Sequence, residues 1–275
     1  MKNLEINQQI EAFLKEDELF KNIQYIQKLP SHNVKCSLKI KDDLILAGLP
    51  YFEAAFNILD PKLELNLSEY EGKPYAKGSE INFDLPFNIA LSGERIGLNL
   101  LQRASSIASF TNLFVKKLEG SGINLLDTRK TTPGLRSLEK YATQVGGAKN
   151  HRFSQLDAFM VKDNHKNYFG GIKGALEFFN NLNGFYTPLI LEVHSKDEFL
   201  EASELGVKHI MLDNFSPTDV KEVIGYKKEF QTIEVSGGIN LETIENYKIN
   251  GVDAISVGSI TYAAPAKDIS LKYGK

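Results

Sequence analysis

Residues 189–213 read LILEVHSKDEFLEASELGVKHIMLD, and this stretch decides the fold. The apolar run 189–193, broken only by Glu192, is too short for a buried helix and suits a strand covered on both faces. Residues 196–205 have helical spacing, and Leu205-Gly206-Val207 supplies the glycine expected just past a helix end. A second apolar run, 209–212, ends at Asp213. Strand, helix and strand therefore occupy one compact βα repeat.

The same pattern extends in both directions. Residues 123–126 precede Asp127, 158–161 precede Lys162, 232–235 precede Ser236 and 254–257 precede Gly258. The six marker positions, from Asp127 to Gly258, are separated by 35, 30, 21, 23 and 22 residues, which is the length of a strand, a helix and two loops. Helices are predicted over 135–145, 173–180, 217–229 and 241–250, the last followed by Asn250-Gly251-Val252. Six successive βα units imply a parallel sheet with right-handed crossovers, either open and doubly wound or closed as a barrel. In both cases ligands meet the carboxyl ends of the strands. Those ends carry Asp127, Arg129, Lys130, Lys162, Asp163, Glu192, Asp213, Ser236 and Gly258.

Residues 1–92 lack this period. They predict a short helix at 6–14, a helix at 51–59, and alternating strands at 34–40 (VKCSLKI), 63–67 (LELNL) and 81–85, with a second apolar run at 44–49. This is the rhythm of an α+β domain with an antiparallel sheet. A long helix, 94–118, follows it.

The chain has 275 residues, 42% hydrophobic and 24% charged, which excludes a disordered or collagen-like polymer. The net charge of −3 gives no global field for nucleic acid or a membrane surface. The N-terminus reads as a polar amphipathic helix rather than a signal peptide, and no apolar run is long enough to span a bilayer. The single cysteine, Cys36, has no disulfide partner within the chain, so a reducing, cytoplasmic setting is expected.

The chemistry concentrates in residues 127–165, where seven Lys/Arg stand against four Asp/Glu. Arg129, Lys130, Arg152 and Lys162 follow apolar strands or a Gly146-Gly147 loop, and together they predict a cationic pocket for carboxylates and phosphates. Lys149 and, in part, Arg136 and Lys140 read as solvated helix-face charges. Glu192 and Asp213 end neighbouring strands, an acidic pair suited to Mg²⁺ held through water or to sugar hydroxyls. Ser236-Gly237-Gly238 and Val257-Gly258-Ser259 follow the last two strands, where backbone N–H groups can bind phosphate. Residues 170–174 (GGIKG) read as a mobile connection or lid. His32, His194 and His209 read as surface or core residues.

The block 127–165 (DTRKTTPGLRSLEKYATQVGGAKNHRFSQLDAFMVKDNH), with MLDNF at 211–215, EVSGGINLETIENY at 234–247 and GVDAISVGSIT at 251–261, resembles the quinolinate phosphoribosyltransferase family. The resemblance covers about residues 90–272. It implies an α/β fold: a barrel-like parallel βα domain, 105–262, joined to an N-terminal α+β open-faced sandwich, 1–104, to which the C-terminal tail, 263–275, returns. It implies transfer from 5-phosphoribosyl-1-pyrophosphate to quinolinate with Mg²⁺, yielding nicotinate mononucleotide, pyrophosphate and CO₂ in de novo NAD synthesis. Arg95, Arg129, His151, Arg152 and Lys162 would then surround the quinolinate carboxylates, and Lys130 would face the pyrophosphate. Glu192 and Asp213 would serve ribose and Mg²⁺. Ser236, Gly237 and Gly258 would hold the 5′-phosphate. Arg95 would come from a neighbouring subunit, implying a homodimer, with a hexamer left open. Lys130, Lys162, Glu192 and Asp213 carry the expected catalysis. Departures from the family pattern fall at residues 15–30, at Ser105–Ser109 and at Thr261-Tyr262. The alternatives left open are a phosphoribosyltransferase of the same fold acting on another aromatic acid, a molybdenum-transport-associated homologue, and a non-catalytic phosphate-binding regulator.

Overall fold

The structure, a computed structural model, describes residues 2–274. In chain order it contains α1 (Lys2–Glu16), α2 (Ile23–Lys28), β1 (Asn33–Ile40), β2 (Leu44–Ile45), α3 (Leu49–Asn57), β3 (Pro74–Tyr75), β4 (Glu80–Pro86) and α4 (Phe87–Leu118). There follow β5 (Asn124–Leu126), α5 (Arg136–Val145), β6 (Phe159–Val161), α6 (Asp163–Tyr168), α7 (Ile172–Leu182), β7 (Leu189–Val193), α8 (Lys196–Glu204) and β8 (His209–Asp213). The chain ends with α9 (Pro217–Ile224), β9 (Thr232–Ser236), β10 (Ala254–Ser256), α10 (Ser259–Tyr262) and β11 (Ile269–Gly274). Residues 1–110, 137–146 and 264–275 form one compact unit, and 111–136 with 147–263 form a second.

The first unit is an open-faced sandwich. Its antiparallel sheet has the order β11-β1-β4, so the C-terminal strand returns to pair with the first. Period-two alternation makes its two faces different. Cys36, Leu38, Ile40, Ile81, Leu85, Ile269 and Leu271 point inward against Leu49, Phe52 and Phe56 of α3 and Leu98 and Leu101 of α4. On the open face Glu80 accepts from Ser37 at 2.8 Å and from Lys39 at 2.7 Å. The helix α4 starts seven residues earlier than its sequence pattern suggested and runs through Gly93. A Cβ at Gly93 would lie 2.8 Å from the Phe56 ring and 2.9 Å from the Ala55 carbonyl, so glycine here permits close approach of α3 rather than breaking the helix. The helix α5 belongs to this unit: buried Glu139 accepts from Arg103 at 2.7 Å.

The stretch 63–67 is not a strand. The Asn57 side chain takes both backbone groups of Leu65, accepting at 3.2 Å and donating at 3.3 Å, and Glu53 accepts from the Leu67 N–H. Polar side chains of α3 thus replace a strand partner, while Leu63 and Leu65 still pack on the core.

The second unit is the barrel-like parallel βα domain. Its six strands run in the order β5-β10-β9-β8-β7-β6, and all five pairings are parallel. Glu192 lies opposite Met211, and Met211 opposite Glu234; two residues further on, Asp213 lies opposite Ser236. Neighbours in register share a face of a sheet. Glu192 and Glu234 therefore occupy one layer of a common face, with Asp213 and Ser236 in the layer above it.

Three connections differ from the sequence reading. Residues 163–168 form a short helix, α6. The GGIKG stretch is a tight turn into α7, with the Gly171 N–H donating to the Lys166 carbonyl at 2.8 Å. Residues 241–250 keep only a 3₁₀ turn at Ile244–Tyr247. Asn240 Oδ1 accepts from the Glu242 and Thr243 N–H groups at 2.9 and 3.0 Å, and such local bonds compete with a regular helix.

Candidate active site

The site is built at the carboxyl ends of the six strands of the second unit. Lys162 follows β6, and its Nζ donates to Glu192 Oε2 at 2.7 Å. The Glu192 side chain is 7% exposed and that of Lys162 is 49% exposed, so a buried anion carries a cation open to solvent. Burial pushes the Glu192 carboxyl up, Lys162 pulls it down, and the Asp213 charge adds to the rise. Asp213, at the end of β8, accepts from the Asn214 side chain at 2.7 Å.

His194 stands among these acids. Its Nε2 is 3.0 Å from Asp163 Oδ1 and 3.6 Å from Glu192 Oε1, and its Nδ1 is 3.7 Å from Asp213 Oδ2. The hydrogen bond to His194 holds the Asp163 carboxyl below the usual range. The sequence pattern alone marks His194 only as a surface or core residue. The signal that could have found it was the period of β7, which returns His194 to the Glu192 side of the strand. Asp163, Glu192 and His194 each offer a donor atom within 4.8 Å of one another. Mg²⁺ prefers oxygen donors from one or two carboxylates plus substrate phosphates. The carboxylates of Glu192 and Asp213, with Asp163 beside them, fit that donor set.

The cationic side is organised by Asp127, which follows β5 and is fully buried. Its Oδ1 accepts from the His151 N–H at 2.8 Å and its Oδ2 from the Asn150 side chain at 2.6 Å. Two charge-assisted bonds thus anchor the loop that carries His151 and Arg152. Arg152 donates from its guanidinium to the Ala158 carbonyl at 2.9 Å. Burial, then the neighbouring Arg129 charge, lower the Arg152 pKa; two cations held close together favour an anion between them. The Arg129 Nε is buried and has no hydrogen-bond partner among the described residues. Both nitrogens of His151 face protein groups. Nδ1 accepts from the Arg152 N–H at 2.7 Å, and Nε2 is 3.3 Å from Glu234 Oε2.

The glycine loops lie at the ends of β9 and β10. Gly237 has φ +92°, and a Cβ there would sit 2.6 Å from the Asn214 backbone nitrogen. Only glycine lets the β9 loop pass the β8 loop this closely. The Asn214 N–H donates to the Ser236 carbonyl at 2.9 Å, which ties the two loops together, and Gly238 continues the turn. On β10, the Val257 N–H donates to Leu126 at 3.0 Å. A Cβ at Gly258 would meet the Lys130 side chain at 3.0 Å, so Lys130 lies across this loop. Thr261 Oγ1 donates to the Lys130 carbonyl at 2.9 Å. Ser259 Oγ is buried without a partner among the described residues. Arg95 is exposed on α4 in the first unit.

The family model described as quinolinate phosphoribosyl transferase, C-terminal domain, matches residues 107–272. The chain is 34% identical over 272 residues to the probable nicotinate-nucleotide pyrophosphorylase [carboxylating] of Bacillus subtilis, covering 98% of this chain and 94% of that one. The chain belongs to the quinolinate phosphoribosyltransferase family. The human nicotinate-nucleotide pyrophosphorylase [carboxylating] is 37% identical over 86% of this phosphoribosyltransferase chain and 82% of its own. The crystal structure of NadC from Streptococcus pyogenes superposes with a TM-score of 0.89 at 34% identity, covering 100% of this chain and 99% of that one. The quinolinate phosphoribosyltransferase fold thus includes both the sandwich and the barrel-like unit. Among the described residues no helix is long and apolar enough to cross a membrane.

Proposed function

We propose that this protein transfers the phosphoribosyl group of 5-phosphoribosyl-1-pyrophosphate to the ring nitrogen of quinolinate. Pyrophosphate leaves, the carboxylate next to the nitrogen departs as CO₂, and the ring carbon that keeps the electron pair takes a proton from solvent, giving nicotinate mononucleotide for NAD synthesis. The observation that carries this reading is the shared placement of Lys162, Glu192, Asp213, Ser236 and Gly258 at successive strand ends, in a chain of this family.

Both substrates are multiply charged anions, so binding them needs fixed cations. Arg129, Arg152 and Lys162 supply these for the two carboxylates of the acid, and arginine can grip a carboxylate with two parallel hydrogen bonds. His151 completes this group beside Arg152. Lys130, lying over Gly258, faces the pyrophosphate, and the loops 236–238 and 257–259 receive the 5′-phosphate through backbone N–H groups and the Ser259 hydroxyl. Loss of pyrophosphate leaves positive charge on the ribose, as in glycoside chemistry. Glu192 and Asp213 lie where that charge develops and stabilise it electrostatically. The same two carboxylates would hold Mg²⁺, which when bound neutralises charge on the leaving group. The pyridine nitrogen has no proton to lose, so no general base is needed. Positioning and preorganised charge provide the rate. Arg95 joins the site from a second copy of the chain, which makes the working form a dimer or a higher assembly of dimers. Cys36, buried and unpaired, suits the reducing cytoplasm.

The test is an initial-rate assay that follows quinolinate absorbance with 5-phosphoribosyl-1-pyrophosphate and Mg²⁺. Loss of quinolinate that requires the phosphoribosyl donor supports the reading. Nicotinate consumed in its place would assign another acid, and binding without turnover would make the protein a regulator.

A further inference from the structure

The barrel-like unit contains a buried acid that the mechanism above does not use. Glu234 lies in β9, two residues before Ser236, with 8% of its surface exposed. Its strand neighbours Ile233 and Val235 are fully buried on the opposite face, so Glu234 shares the inner face with Ser236. Burying a carboxylate is costly unless something compensates it. Its Oε1 has no hydrogen-bond partner among the described residues. Its Oε2 faces His151 Nε2 at 3.3 Å, and the two side chains are 10% and 8% exposed.

The state of His151 follows from its other contact. Nδ1 accepts the Arg152 N–H at 2.7 Å, so the proton of the neutral ring is on Nε2, which approaches Glu234 Oε2 to 3.3 Å as an electrostatic contact outside hydrogen-bond geometry. The Asp127 carboxylate accepts from the backbone N–H of His151 at 2.8 Å. A continuous set of contacts therefore runs from Glu234 through the imidazole to the Arg152 main chain, and Arg152 carries a guanidinium of the cationic pocket. A buried carboxylate this close favours the ring orientation that keeps the Nε2 edge of His151 on its side.

We propose that Glu234 is a positioning residue for the acid substrate: it orients His151, which in turn sets Arg152 to receive a carboxylate. The inference rests on the functional reading above and adds to it a residue for specificity toward the acid. His151 then acts chiefly through Arg152 rather than as a free cation in the pocket.

The test compares Glu234→Gln, Glu234→Asp, His151→Gln and the double variant Glu234→Gln/His151→Gln in the full-length protein. Wild-type turnover of quinolinate tests the functional reading by itself; the ratios between variants and wild type test this inference. Glu234→Gln keeps the shape and removes the charge. The quinolinate KM is expected to rise about tenfold, the equivalent of removing about 1.4 kcal/mol of electrostatic contact, with the KM for the phosphoribosyl donor within twofold of wild type. Glu234→Asp restores the charge but withdraws it by about one C–C bond, and its quinolinate KM is expected to fall between the two. The double variant should be no worse than His151→Gln alone, because both changes break one chain of contacts. An unchanged quinolinate KM in folded Glu234→Gln, an equal rise in both KM values, or multiplying effects in the double variant would each overturn the proposal. If Glu234→Gln does not fold, the Glu234→Asp to His151→Gln comparison reads the same KM split.

Discussion

Replacing Lys162 by methionine removes the cation from a buried anion at the centre of the proposed site while keeping a side chain of similar length. The distance is 2.7 Å. Two unit charges at that separation interact by about 1.5 kcal/mol in water and by about 6 kcal/mol at an effective dielectric constant of about 20. Glu192 is nearly buried, but Lys162 is half exposed, so the effective value lies toward the lower figure, about 2–3 kcal/mol. In the variant, an uncompensated Glu192 also faces an incoming dianion. The kcat/KM for quinolinate is therefore expected to fall by about 30- to 150-fold, the equivalent of that energy. Lys162→Arg retains the charge and is expected to keep more of the activity than the methionine variant. The assay is steady-state turnover at saturating 5-phosphoribosyl-1-pyrophosphate, with circular dichroism to confirm that each variant is folded. A folded Lys162→Met enzyme within threefold of wild type would refute the reasoning.

Gly237→Ala forces a side chain into left-handed backbone against the Asn214 nitrogen. It is expected to cost about 1–3 kcal/mol of stability, seen as a lower Tm, and to raise the KM for the phosphoribosyl donor more than that for quinolinate. The opposite KM pattern would remove the β9 loop from the phosphate site. In the first unit, Glu71 accepts from the Gly48 and Leu49 N–H groups and from the Tyr141 hydroxyl, and burial raises its pKa above 4.5 in spite of them. Because the folded value exceeds the unfolded one, Glu71 costs no stability at low pH and costs progressively more as pH rises through its folded value. Tyr141→Phe raises that value further, so its destabilisation should be small near pH 4 and reach about 1–2 kcal/mol at pH 7; denaturant titrations giving equal losses at both pH values would contradict this. Arg95→Ala and Lys130→Ala are each expected to be nearly inactive as pure proteins, and co-refolding the two should recover activity in hybrids that carry one intact shared site. Hybrids that form without recovery would end the shared-site proposal.

Much of the barrel-like unit was legible because its strands are buried on both faces. A run such as LILEV between polar flanks has few alternatives, and the structure gives β7 as 189–193. The acidic and basic strand ends were legible for the same reason: a charged residue closing an apolar run must lie at the rim. What the sequence concealed depended on side chains replacing backbone partners. Asn57 satisfies Leu65 and removes a predicted strand, and Asn240 caps its own turn and shortens a predicted helix. The helix α6 has six residues, too few to show a period, and its first turn is held by His165 Nδ1 accepting the Lys162 N–H at 3.0 Å. Glu234 and His194 were passed over because each is one polar residue in or beside an apolar strand. Strand parity alone aligns Glu234 with Ser236 and His194 with Glu192. Their contacts with His151 and with Asp163 join segments far apart in the chain, which no local pattern reveals.

The most direct measurement is a crystal structure of the protein with quinolinate and an unreactive phosphoribosyl pyrophosphate analogue bound together. The account predicts the acid's carboxylates on Arg129, Arg152 and Lys162, the 5′-phosphate on the loops 236–238 and 257–259, and the ribose between them beside Glu192 and Asp213. Quinolinate bound at a separate surface, with these strand ends contacting only solvent, would contradict it.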